Sequence, residues 1–174
     1  MRTPKIYLET TMFNYYFDSD RDAHADTVTL FEECSAGEFE PYTSTYIVDE
    51  IEDTKDADRR GKMLALIDKS GITILAANYE TDALAQKYIA EGALPPNSLM
   101  DASHIAAAAV NALDKIVSLN FRHIVRDKTI KMTGAINVLL GYNALEISSP
   151  MEVIDSEKTR YHLGRDSRDA PQAL

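Results

Sequence analysis

The chain has 174 residues, 45% of them apolar and 26% charged, with a formal net charge of −10. That length suits one domain with a buried core, and the composition is that of a globular protein, which excludes a largely disordered chain. The negative balance excludes a generic basic coat for nucleic acid, because Lys and Arg neutralising phosphates supply most non-specific affinity. Cys34 is the single cysteine, so neither an internal disulfide nor a cysteine-rich zinc site can form. No apolar run approaches the roughly 20 residues of a membrane span, and the opening residues lack the apolar core of a signal peptide. A cytoplasmic protein with no membrane association is expected.

Short strand-like runs alternate with helical patterns, as in a parallel sheet covered by helices on both faces. Lys5 to Glu9 reads as the first strand, followed by a helix from Thr10 or Thr11 to about Phe17. The cluster Asp18-Ser19-Asp20-Arg21-Asp22 reads as a loop with N-cap candidates, and a second helix is expected from about Ala23 to Ser35. Phe39 to Thr43 is a short strand, after which Ser44 or Thr45 can cap the helix carrying Ile47, Glu50 and Ile51. An amphipathic helix follows over Lys55 to Lys69, then a β-branched strand over Ile72 to Leu75 and a helix over Glu80 to Glu91. Gly92 to Asn97 breaks the pattern, and an alanine-rich helix begins around Ser98 and runs through Ala112. Lys115 to Leu119 is the next strand, with Asn120 to Ile124 as its exit loop. A helix over Ala135 to Leu140, a strand over Leu145 to Ile147 and a helical turn over Pro150 to Ile154 complete residues 1–154. Residues 155–174 read as a charged tail without apolar periodicity.

Within this layout Glu9 ends the first strand, Asp101 lies at the start of the alanine-rich helix, and Asn120 follows the strand after it. Ligands of such sheets bind beyond the carboxyl ends of the strands, so these residues can meet, with Glu50 reaching the same cleft from its helix. Hard cations such as Mg²⁺ or Mn²⁺ take oxygen ligands, and Mg²⁺ keeps waters while using few carboxylates. Such a site can polarise a phosphodiester and activate a water.

The ordered set of motifs resembles the PIN domain family. Tyr7-Leu8-Glu9-Thr10-Thr11 is similar to that family's opening motif, and Thr43 to Ile51 to its second, with Glu50 in the acidic slot. Asp101 to Ala108 resembles the third, and Ile116 to Ile124 the fourth, where a strand ends in Ser or Thr, any residue, then Asp or Asn. The resemblance spans about Lys5 to Ile154. It implies a three-layer α/β/α fold with a central, mostly parallel sheet, and a Mg²⁺- or Mn²⁺-dependent endoribonuclease whose metal is held by Glu9, Glu50, Asp101 and Asn120. It also implies an RNA substrate, an antitoxin protein as partner in the manner of the VapC-like toxins, and a homodimer. Glu9 stands where the family typically has Asp, and Asn120 brings a carbonyl oxygen without charge.

Each residue also has a plainer reading. Glu9 can cap the next helix, Asp101 can interact with a helix dipole, and Asn120 can be a turn residue. Glu50 is preferred over Glu52 and Asp53, which are expected to face solvent. Ser118 reads equally as a supporting donor or a strand hydroxyl. His104 and His123 lack zinc-ligand spacing and are assigned to packing or substrate-side hydrogen bonding. Arg122, Lys128 and Lys131 are candidate phosphate contacts or solubilising charges, and the aromatics Phe13, Tyr15, Tyr16 and Phe17 are expected to pack more than to stack bases. Glu9 and Asn120 favour a non-catalytic RNA- or protein-binding module as the alternative function. A phosphate-accepting receiver or haloacid-type phosphatase would need an aspartate where Glu9 stands and a lysine near a late strand end, whereas Lys115 begins its strand.

Overall fold

A computed structural model describes residues 2–155. The tail expected over 155–174 lies, apart from Asp155, outside the described residues. Five strands, β1 (Lys5–Leu8), β2 (Glu40–Ser44), β3 (Thr73–Leu75), β4 (Lys115–Val117) and β5 (Glu146–Ser148), form one sheet in the order β3-β2-β1-β4-β5. Every pairing is parallel, with Tyr7 opposite Tyr42 on one side and Ile116 on the other. Ile6, Tyr7 and Leu8 are wholly buried, as a central strand covered on both faces requires.

The crossovers carry the helices. α1 (Thr10–Phe17) and α2 (His24–Ser35) link β1 to β2, and α3 (Thr45–Glu52) and α4 (Ala57–Lys69) link β2 to β3. α5 (Tyr79–Ala90) and α6 (Leu99–Val110) link β3 to β4, and α7 (Asp127–Leu139) links β4 to β5. The chain steps outward from β1 to β3, then returns past β1 to β4 and β5, so right-handed crossovers put α1–α4 on one face and α5–α7 on the other. In agreement, α1 packs on α2, α3 and α4, and α5 packs along α6 and α7. Ala102 and Ala106 to Ala109 are buried, and their short side chains let α6 approach its neighbours closely. α6 ends through Ala112 at φ 52°, with Leu113 N donating to Ala108 O at 3.0 Å, a left-handed closure usually given to glycine. Among the described residues no helix is long and apolar enough to cross a membrane.

Four local expectations are corrected. α7 begins at Asp127, not near Ala135. The β-branched Thr129, Ile130 and Thr133 and the interior Gly134 weaken its intrinsic preference, but burial of both threonines outweighs it. The β4 ladder stops at Val117 rather than Leu119, because Leu119 N turns to Thr11 Oγ1 at 2.8 Å. No member of the Asp18–Asp22 cluster caps α2; Ala23 occupies the cap, and Asp18 instead accepts a bond from Arg59 at 2.8 Å. Ser44 holds the N-cap position of α3 without a side-chain capping bond, its hydroxyl lying 2.6 Å from the Tyr7 hydroxyl.

Candidate active site

The strand order reverses between β1 and β4, which opens a crevice beyond their carboxyl ends. Glu9 follows β1 directly and is 3% exposed. Its Oε2 accepts from Thr11 N at 3.1 Å, Thr11 Oγ1 at 2.6 Å and Ser118 Oγ at 2.8 Å, so the carboxylate caps α1 and ties it to the end of β4. Ser118, the strand hydroxyl of the fourth motif, is therefore a donor to Glu9, and it also accepts from Asn120 N at 2.9 Å.

Asp101, in the first turn of α6, meets Asn120 directly, Nδ2 donating to Oδ1 at 3.0 Å. Its other oxygen accepts from His123 Nδ1 at 2.8 Å, and Ser98 Oγ lies 3.0 Å from the same nitrogen. Asn120 Oδ1 accepts from His123 N at 3.0 Å, so the turn role and the inward-facing amide belong to the same residue. Glu50 on α3 reaches the crevice from the opposite side. Its Oε2 accepts from Thr10 Oγ1 and from His104 Nε2, the latter at 3.0 Å. Glu52 and Asp53 are exposed, as expected of surface charges.

The structure thus joins Asp101 to Asn120, links Glu9 to Asn120 through Ser118, and brings Glu50 to Thr10, beside Glu9, and to His104, on the helix of Asp101. Their charges act on the groups between them. Burial works against a charged His104, but the hydrogen bond to Glu50 and the negative charges of Glu9, Glu50 and Asp101 outweigh it and raise the imidazole above the ordinary histidine range. Burial likewise lifts the Glu50 carboxyl, yet the His104 contact and the Thr10 hydroxyl outweigh it and hold Glu50 below the usual glutamate range. The Tyr7 phenol is pushed far up by burial and by the charges of Glu9 and Glu50, so it stays protonated.

Oxygen donors of this kind suit a hard cation such as Mg²⁺ or Mn²⁺. Both glutamates spend Oε2 on protein donors and accept no hydrogen bond at Oε1 among the described residues. The side chains do not form a finished cage, since no group of three or more His, Cys, Asp or Glu among the described residues is arranged to hold an ion. The donor set fits the group in its chemistry, carboxylate and amide oxygens, with Oε1 of Glu9 and of Glu50 accepting no hydrogen bond among the described residues.

Sequence reasoning placed His104 and His123 with packing or substrate-side hydrogen bonding, and both instead bond the acidic residues of the site. Sequence spacing carried no signal for these contacts, since His104 bonds Glu50 across 54 positions and His123 bonds Asp101 across 22. Zinc spacing was the wrong test, because their partners are carboxylates. The Tyr7–Ser44 contact had no signal, as it crosses from β1 to the end of β2. The aromatics do pack: Phe13 is buried, and Tyr16 lies edge-on to Phe17 and Phe31, each with centroids 5.0 Å apart. Lys115 is buried at the opposite end of β4, 2.7 Å from Glu146, away from the crevice. Arg122, Lys128 and Lys131 are exposed near the loop after β4.

No protein-family model matches the sequence, and no curated protein matches it. Solved structures do match. The toxin VapC20 of Mycobacterium tuberculosis, described as cleaving the sarcin-ricin loop, superposes with a TM-score of 0.54 at 11% identity, over 67% of this chain and 91% of that one. VapBC2 of Rickettsia felis, solved bound to a DNA fragment from its promoter, gives 0.50 at 14% identity, over 83% and 98%. At such identities the likeness establishes architecture: a three-layer α/β/α fold on a parallel sheet. It is the PIN-like fold of these VapC proteins.

Proposed function

We propose that this chain is a Mg²⁺- or Mn²⁺-dependent endoribonuclease of PIN type, acting as the toxin of a toxin–antitoxin pair, with RNA as substrate and an antitoxin protein as partner. The observation that carries this reading is that, at the reversal point of the sheet, Asp101 is bonded to Asn120, Glu9 is joined to Asn120 through Ser118, and Glu50 is held by Thr10 and His104. The fold it shares with a sarcin-ricin loop cleaving toxin and with a VapBC protein supports the same reading.

Glu50 and Asp101, whose side chains are 33% and 20% exposed, are the carboxylates open to the crevice and are assigned direct contact with the cation. Glu9 and Asn120 complete the set from deeper positions. A divalent cation bound there supplies Lewis-acid polarisation of the phosphodiester and lowers the pKa of a water. Asn120 and His123 hold the Asp101 carboxylate at both oxygens, and His104 with Thr10 holds Glu50. Arg122, exposed two residues past Asn120, offers a guanidinium to a phosphate. The homodimer implied by the family resemblance belongs to this proposal and is checked by sedimentation.

Purified protein should cleave RNA only with added Mg²⁺ or Mn²⁺, and Asp101→Asn should reduce the rate by at least about 100-fold, equivalent to roughly 3 kcal/mol of barrier. Metal-independent cleavage, or full activity in the variant, contradicts the proposal. A second reading, a non-catalytic binding module, is favoured by the unfinished cage. A calorimetric Mn²⁺ titration separates the two: no binding supports the module, and binding lost in Glu50→Gln supports the nuclease.

A further inference from the structure

His104 is wholly buried in α6 among alanines, where an apolar side chain would cost less to bury. Both ring nitrogens nevertheless have partners. Nε2 lies 3.0 Å from Glu50 Oε2, and Nδ1 lies 2.9 Å from the Tyr7 hydroxyl, which is 2.6 Å from Ser44 Oγ. The contacts form one line, Ser44–Tyr7–His104–Glu50, passing from β2's end through β1 and α6 to α3. It starts and finishes at the two ends of one helical segment, because Ser44 is the N-cap of α3 and Glu50 lies in its last two turns. Ser44 leaves the α3 amides without a side-chain cap, so its hydroxyl serves this line instead.

Every proton in the line can be used once. Neutral His104 donates from Nε2 to Glu50 and accepts at Nδ1 from Tyr7, whose oxygen accepts from Ser44; charged His104 donates from both nitrogens, and the Tyr7 hydroxyl then donates to Ser44 Oγ. The Thr10 hydroxyl donates to the same Glu50 oxygen. Two protein donors therefore occupy Oε2, while Oε1 accepts no hydrogen bond among the described residues. Tyr46, stacked edge-on to His104 with centroids 6.4 Å apart, and Tyr7 at 6.0 Å fix the plane of the ring.

We propose that His104 is the positioning residue of Glu50: held by the Tyr7–Ser44 pair, it pins Oε2 and so presents Oε1 to a divalent cation in the crevice. This rests on the nuclease reading above and adds a residue outside the set of four acidic and amide ligands. Supporting groups that orient a metal-binding side chain typically change affinity by about 10–100-fold when removed.

The test is Mn²⁺ calorimetry on the full chain, with thermal melting of each variant. His104→Leu, which keeps bulk and removes both nitrogens, should weaken Mn²⁺ binding by about 10–100-fold. His104→Gln, which restores an N–H within reach of Glu50, should recover most of that loss at a melting temperature similar to the leucine variant. Tyr7→Phe, a smaller change that keeps the ring packed, should weaken binding several-fold and stands as the measurement if the leucine variant does not fold. Wild-type affinity in folded His104→Leu, glutamine no better than leucine, or unchanged affinity in Tyr7→Phe overturns the proposal while leaving the nuclease reading intact. Failure of the wild-type chain to bind Mn²⁺ overturns both.

Discussion

Ser118→Ala probes the connection between Glu9 and Asn120. Ser118 is fully buried, and its hydroxyl supplies one of three donors to Glu9 Oε2, at 2.8 Å, while accepting from Asn120 N at 2.9 Å. A hydrogen bond to a charged group contributes about 1.5–3 kcal/mol net, and an orphaned amide costs about 1 kcal/mol when part of its solvation is recovered. Alanine is nearly isosteric with serine, so cavity formation adds little. The sum is about 2–4 kcal/mol, which for a chain of this size lowers Tm by roughly 5–15 °C. Urea unfolding and thermal melting measure it, with Ser148→Ala as the control. Ser148 is similarly buried, but its hydroxyl donates to Glu146, whose side chain is 55% exposed, so the loss there should stay below about 1 kcal/mol. Equal losses in the two variants, or a loss below about 0.5 kcal/mol in Ser118→Ala, would refute the reasoning that the Glu9 carboxylate is held through Ser118.

Asp18 is held below the ordinary aspartate range, first by its hydrogen bond from Arg59, which outweighs the opposing effect of burial. Its folded value is depressed, so this stabilisation is present above the unfolded pKa of about 3.9 and is lost as pH falls through the folded value. The stability gap between wild type and Asp18→Asn, followed by urea titration, should therefore be open at neutral pH and close in acid; a gap that widens in acid contradicts it. Ala112→Gly should raise stability by about 0.5–1 kcal/mol, because alanine at φ 52° is strained and glycine is not; calorimetric melting showing a loss would refute the left-handed closure of α6.

The strands and most helices were legible because apolar periodicity and glycine or proline punctuation follow from local chemistry. The start of α7 was not, since Thr129, Thr133 and Gly134 argue locally against a helix that only tertiary burial of the threonines stabilises. At the site, Glu9, Asp101 and Asn120 stand at strand and helix ends that the sequence shows, and the fold sets Asp101 against Asn120 and joins Glu9 to Asn120 through Ser118. What holds them was hidden for a physical reason. A buried serine, tyrosine or histidine looks like packing until the partner across the sheet is known, and the pairs Tyr7–His104 and Ser118–Glu9 are separated by 97 and 109 positions. Ser44 shows the converse: its sequence position predicts a cap, and the nearby Tyr7 hydroxyl takes its side chain instead.

The proposed function requires this crevice to bind a divalent cation. Anomalous diffraction from crystals soaked in Mn²⁺ tests it most directly. The account predicts a peak bordered by Oε1 of Glu50 and the Asp101 carboxylate, with Glu9 and Asn120 behind them. A saturating soak that leaves this crevice without a peak, or places the ion away from Glu50 and Asp101, would contradict it.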